Sequence, residues 1–190
     1  MGMGELKAMR LMKSVAAAAV LFALTSVAAQ ADKGKEIQCG ETSFTFTAPD
    51  FKISCKDYSR STVSTGQSLS ASKSYSLYAY SEREQTFLDV FSDYIVGATV
   101  YYSRRSMEAD LEGNYTARFS DWATLDDIGN YELKNVTATF DNEDPMECVA
   151  FRKLGARRWE GVNGLTVGLA CSDKGGDKAL EATKLFISQD

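Results

Sequence analysis

Met146-Glu147-Cys148-Val149-Ala150-Phe151-Arg152-Lys153-Leu154 and Leu165-Thr166-Val167-Gly168-Leu169-Ala170-Cys171 are two short runs rich in apolar residues, joined by a basic, glycine-bearing segment. Both have strand length, and each carries a cysteine near its outer end. Together they read as an antiparallel hairpin whose open end a cystine can close.

A second unit of this kind lies upstream. Ser43-Phe44-Thr45-Phe46-Thr47 alternates polar and aromatic residues, Ala48-Pro49-Asp50 is a turn, and Phe51-Lys52-Ile53-Ser54-Cys55 alternates again. The period of two predicts a hairpin over 43–56, with Phe44 and Phe46 on one arm and Phe51, Ile53 and Cys55 on the other. Residues 59–74, rich in serine and threonine, read as a long surface loop. Tyr75 to Tyr80 is extended.

Ser81-Glu82-Arg83-Glu84 fits a capping box, and Leu88, Phe91 and Ile95, with Phe87 and Tyr94 beside them, recur at spacings of three and four. This predicts a helix over 82–96 closed by Gly97. Ala98 to Tyr102 reads as a strand and 103–112 as a short helix or charged turn, broken at Gly113-Asn114. Tyr115 to Phe119 and Tyr131 to Phe140 are strand-like, the latter with a bulge where its alternation slips at Asn135. A terminal helix over 178–188, with Asp177 as its cap, shows the apolar stripe Leu180, Thr183, Phe186 and Ile187. The expected architecture is α+β: one domain, a mainly antiparallel sheet with two or three helices on it, and disulfide-stapled hairpins.

The first 31 residues have a different character. Lys7, Arg10 and Lys13 precede an uncharged run from Val15 to Leu24, and Ala29-Gln30-Ala31 meets the small-x-small requirement of a signal peptidase. The expectation is a secretory signal peptide over 1–31, cleaved near Ala31, and a single exported domain over 32–190. The apolar run is half of the roughly 20 residues needed to span a bilayer, and no transmembrane segment is expected in the mature chain. Removing residues 1–31 takes away three basic and one acidic group, which leaves 18 against 25 and a net charge of −7. Such a domain repels nucleic acid at long range. The chain is expected to be periplasmic or secreted.

All four cysteines, Cys39, Cys55, Cys148 and Cys171, fall after residue 31. In an oxidising compartment an even count reads as disulfides. Three pairings are possible; the sequential one, Cys39–Cys55 and Cys148–Cys171, is expected. The intervening lengths of 15, 92 and 22 residues contain no tight C-x-x-C pair of the kind zinc, iron–sulfur and thioredoxin-like sites use. Histidine is absent, which removes the Ser-His-Asp and Cys-His nucleophile systems and imidazole ligation of metals.

The most unusual local feature is Arg152-Lys153-Leu154-Gly155-Ala156-Arg157-Arg158-Trp159, with four basic groups and an indole in an acidic protein. Guanidinium planes bind carboxylates and phosphates, and an indole stacks on sugars and rings. Arg152, Lys153, Arg157, Arg158 and Trp159 are therefore the candidate binding residues, for a protein partner or an anionic envelope polymer. The competing reading has those charges paired with the protein's own acids. The acidic turn Asp141-Asn142-Glu143-Asp144 lacks the glycine and glutamate of a calcium loop, and no metal or cofactor is expected. The expected function is non-catalytic binding. A histidine-free hydrolase using two carboxylates on an envelope glycan, and a structural envelope protein, are the alternatives.

Overall fold

The computed structural model describes residues 34–62, 70–96, 105–141, 143–158 and 161–190. Among these residues nine strands form one antiparallel sheet. Eight of them, β1 (Lys35–Ile37), β2 (Lys52–Asp57), β4 (Ser70–Ser81), β5 (Thr86–Val96), β6 (Ala117–Thr124), β7 (Glu132–Phe140), β8 (Met146–Leu154) and β11 (Gly164–Ser172), lie in the order β1-β2-β4-β5-β11-β8-β7-β6. The ninth, β3 (Arg60–Thr62), also pairs with β4. A two-stranded ribbon of β9 (Arg157–Arg158) and β10 (Gly161–Val162) continues the β8–β11 hairpin. Among the described residues the α-helices are α1 (Met107–Asn114) and α2 (Gly176–Ile187). The α+β class, the dominant antiparallel sheet and the two disulfides agree with the sequence reading.

Helices cover both faces of the sheet. On the first face, α2 packs over β5, β8 and β11, and its Phe186, Ala179 and Ala182 meet Leu77, Leu88, Val90, Leu133, Val149 and Phe151. On the second, Met107 and Leu111 of α1, one helical turn apart, seat on Val136, Ala150, Val167 and Leu169. Gly168 sits opposite Phe151 in the ladder, and a Cβ there would fall 2.1 Å from the ring. The missing side chain lets the phenyl ring lie flat across β11 and reach α2.

Five local expectations are corrected. Residues 86–96 are strand β5, not a helix. Ser81 Oγ does accept from the Glu84 amide at 3.2 Å, as a helix cap would, but Gln85 takes φ 47 and turns the chain back on β4. Tertiary pairing overrides the local signal because β5 is covered on both faces: Leu88 and Val90 bury on the first, while Phe87 and Phe91 pack on the second. Apolar residues then fall at spacings that imitate a helical stripe.

Residues 43–47 keep the expected alternation, Phe44 and Phe46 buried and Thr45 and Thr47 exposed, but join no ladder. Their backbone is held instead by Gln189, which accepts from the Thr47 amide at 2.8 Å and donates to its carbonyl at 3.1 Å. β2 pairs with β1 and β4. The serine-rich stretch is not one loop. β3 and the start of β4 occupy its two ends, and 63–69 lie outside the described residues, as does the strand expected at 98–102. The bulge expected at Asn135 lies across the ladder in β6, between Ser120 and Ala123, where Asp121 has φ 57. β7 itself is regular; its alternation slips because Leu133 faces α2 while Val136 and Ala138 face α1. Finally, Asp177 does not cap α2. Gly175 occupies the cap position, and Glu147 Oε2 accepts from the Gly176 amide at 2.6 Å.

Both cystines form in the sequential pairing. Cys148 and Cys171 face each other in the β8–β11 ladder, and Cys39, in a 3-10 turn, is tied to Cys55 of β2. With loops of 16 and 23 residues, replacing either pair by serine should lower stability by about 3 kcal/mol in the chain-entropy model. Guanidinium unfolding of each double variant beside the oxidised protein measures this. A loss under about 1 kcal/mol would mean that the sheet holds those residues together without the bond.

Candidate functional site

β8 carries the first two candidate residues, and the period of a strand sends them to opposite faces. Arg152 turns to the second face and is only 8% exposed. Its guanidinium donates to Asp110 Oδ2 at 3.0 Å, to Glu132 Oε2 at 2.6 Å and to the Arg105 carbonyl at 2.7 Å. It therefore fastens α1 and the residue preceding its cap to β7 and β8. Lys153 turns to the first face, where its ammonium pairs with Asp190 and stands 4.9 Å from the centre of the Tyr131 ring. The Tyr131 hydroxyl donates to the same Asp190 carboxylate at 2.7 Å.

Beyond Leu154 the hairpin continues regularly. The Gly155 amide donates to the Gly164 carbonyl at 2.8 Å, and Arg157 and Arg158 pair with Val162 and Gly161. Arg157 is exposed, and its side chain makes no hydrogen bond or ion pair among the described residues. Arg158 is placed by its backbone, and Trp159 lies outside the described residues. The five candidates do not form one patch. Arg152 and Lys153 bind the protein's own acids from within the main sheet, and Arg157 and Arg158 extend beyond it toward the hairpin tip.

A second cluster centres on Asp89 of β5. The ladder sets Tyr78 of β4 on one side of it and Leu169 of β11 on the other, all on the second face. The Tyr115 hydroxyl, from the residue that caps the C-terminus of α1, donates to the Asp89 carbonyl at 3.0 Å. Burial pushes the Asp89 carboxyl up to about 7, opposed by the charge of Lys56 and by the Val90 amide. Burial likewise raises Tyr78 to about 12, with Asp89 adding to it, and lifts Tyr115 well above the ordinary phenol range. Tyr78, 37% exposed, stacks on Phe87 at 6.3 Å, and Phe87 meets Phe140 edge-on at 5.7 Å. This cluster escapes a sequence reading that makes 82–96 helical. The alternation Thr86-Phe87-Leu88-Asp89-Val90 is the signal that could have revealed it.

The acidic turn after β7 borders an open concavity of about 480 Å³ together with Glu147, Ser172, Asp173 and Gly175. Glu143 and Asp144 line it, and Glu147 is held by the first amide of α2. Among the described residues no group of three histidine, cysteine or acidic side chains converges as a metal site would require. No family model, curated protein or solved structure matches the chain.

Proposed function

We propose that the chain is an exported, non-catalytic binding domain that holds an acidic protein or an anionic envelope polymer at the tip of its β8–β11 hairpin, through Arg157, Arg158 and Trp159. The observation that carries this reading is the contrast within one basic segment: Arg152 and Lys153 are committed to internal acids, whereas Arg157 is exposed and has no ion-pair partner among the described residues. A guanidinium presented by a ladder-paired strand recognises a carboxylate or phosphate with little loss of backbone freedom. Export, to the periplasm or the medium, is supported by the leader pattern of residues 1–31 and by two cystines, which persist in oxidising compartments.

The test compares the oxidised protein with an Arg157→Glu, Arg158→Glu double variant, on immobilised polyglutamate, on a sulfated polysaccharide resin and in capture from an envelope extract. The native protein should be retained and eluted by salt. The variant should pass through all three while keeping its melting temperature. Equal behaviour of the two proteins would remove the hairpin tip as the site. Turnover of an envelope glycan by both would instead establish the hydrolase alternative.

A further inference from the structure

We propose that the hairpin-tip site extends across the first face of the sheet, where Tyr94, set between Lys73 and Arg157, binds a polysaccharide whose uronic acids alternate with neutral sugars. This rests on the tip reading above and narrows its ligand to one class of anionic chain.

The register builds the strip. Leu77 of β4, Val90 of β5, Gly168 of β11 and Phe151 of β8 belong to the first face. The period of two carries that face outward from them to Lys73, Tyr94, Gly164 and Gly155, and one further step brings in Arg157. Lys73 lies directly opposite Tyr94, and Tyr94 directly opposite Gly164. The bond from the Gly155 amide to the Gly164 carbonyl brings β8 alongside. Lys73 and Arg157 are exposed, and neither side chain makes a hydrogen bond or ion pair among the described residues. Lys153, on the same face between Phe151 and Gly155, is already neutralised by Asp190.

Tyr94 is 46% exposed although its strand is central to the sheet. The two glycines leave it open, because they place no side chain beside it. A Cβ on Gly164 would fall 3.2 Å from the ring, so the phenol rests on bare backbone there. Asn163 donates from Nδ2 to the Tyr94 hydroxyl at 3.3 Å, which orients the ring and leaves the phenol's own proton for a ligand oxygen.

The spacing of charge selects the ligand. With strands about 4.8 Å apart, the backbones of Lys73 and Gly155 are roughly 14 Å from one another, and only the neutral ring and the glycines lie between. A chain with carboxylates at intervals meets a cation at each end of the strip. An uncharged sugar between them lays its apolar face on Tyr94. Arg157 receives its carboxylate through a planar guanidinium fork. A chain charged at every residue finds no further cation here, and it is repelled by the net charge of −7 carried by residues 32–190. An acidic peptide has no ring face to offer the phenol.

The test titrates the oxidised protein, at one ionic strength, with hyaluronan, in which glucuronate alternates with N-acetylglucosamine, and with polyglutamate and heparin. Hyaluronan should bind at least about tenfold tighter than either. Tyr94→Ala should weaken hyaluronan about tenfold and leave polyglutamate unchanged, whereas Tyr94→Phe, which keeps the ring, should stay within about twofold of the native protein. Lys73→Glu, a surface change independent of the ring, should also weaken hyaluronan about tenfold while the melting temperature holds. Polyglutamate or heparin bound as tightly as hyaluronan would overturn the proposal. So would unchanged hyaluronan affinity in Tyr94→Ala and Lys73→Glu. In that second case, loss of the polymer by the Arg157→Glu, Arg158→Glu variant would leave the tip reading standing alone, and its retention would remove both.

Discussion

Replacing Arg152 by alanine is expected to destabilise the protein by about 3–5 kcal/mol, the range for breaking a buried ion pair from one side. The guanidinium is the cation between Asp110 and Glu132, and it also holds the Arg105 carbonyl. Without it, Asp110 stays almost fully buried beside a second carboxylate, with its compensating charge gone. The loss is mostly the penalty on the orphaned acids. Arg152→Ala combined with Asp110→Ala should therefore be more stable than Arg152→Ala alone. Arg157→Ala, five residues on and exposed, should change stability by no more than about 0.5 kcal/mol. Urea denaturation of the four proteins decides the matter. A cost below about 1 kcal/mol for Arg152→Ala would mean that water enters and solvates the acids, and that the guanidinium does not fasten α1.

The same pair of residues shows where sequence reading stops. Arg152 to Trp159 looks like one basic segment because sequence distance is all that a linear reading has. The strand period then divides it: Arg152 goes to α1, Lys153 to the C-terminal residue, and only the part beyond Gly155 reaches the tip. The competing possibility, charges paired with the protein's own acids, is correct for the first two. The cystines were readable because count, spacing and the leader-like pattern of residues 1–31 all pointed the same way, and the β8–β11 ladder places Cys148 opposite Cys171. β5 was not readable, because a strand covered on both faces loses the polar alternation that identifies a strand. Its Ser81–Glu84 bond forms locally in either structure. Asp89 was hidden for a further reason: the hydroxyl that covers it comes from a residue 26 positions away, and no local pattern encodes that meeting.

Phe186→Ala should cost about 3–5 kcal/mol, the range for truncating a large aromatic core side chain. Phe186 is 1% exposed and is the point where three parts of the first face converge. Its ring centre lies 5.4 Å from Phe151, 6.3 Å from Tyr131, and 6.0 and 6.1 Å from Phe44 and Phe46. Phe151 cannot simply fill the space, because its ring already lies against Gly168. Leu185, the preceding residue, is 39% exposed, and its truncation should fall within about 0.5 kcal/mol of neutral. The sharper consequence concerns 43–47. This segment has no ladder, so its hold on the protein consists of Phe44 and Phe46 against Phe186, together with the bonds to Gln189 at the end of the same helix. Truncating the ring should therefore release the Thr47 amide to exchange well before the β8–β11 amides, while Cys39–Cys55 keeps the segment tethered at one end. Urea unfolding gives the total loss and amide exchange its order. A uniform loss of protection across the sheet would show that the segment is an integral part of the core and unfolds only with it.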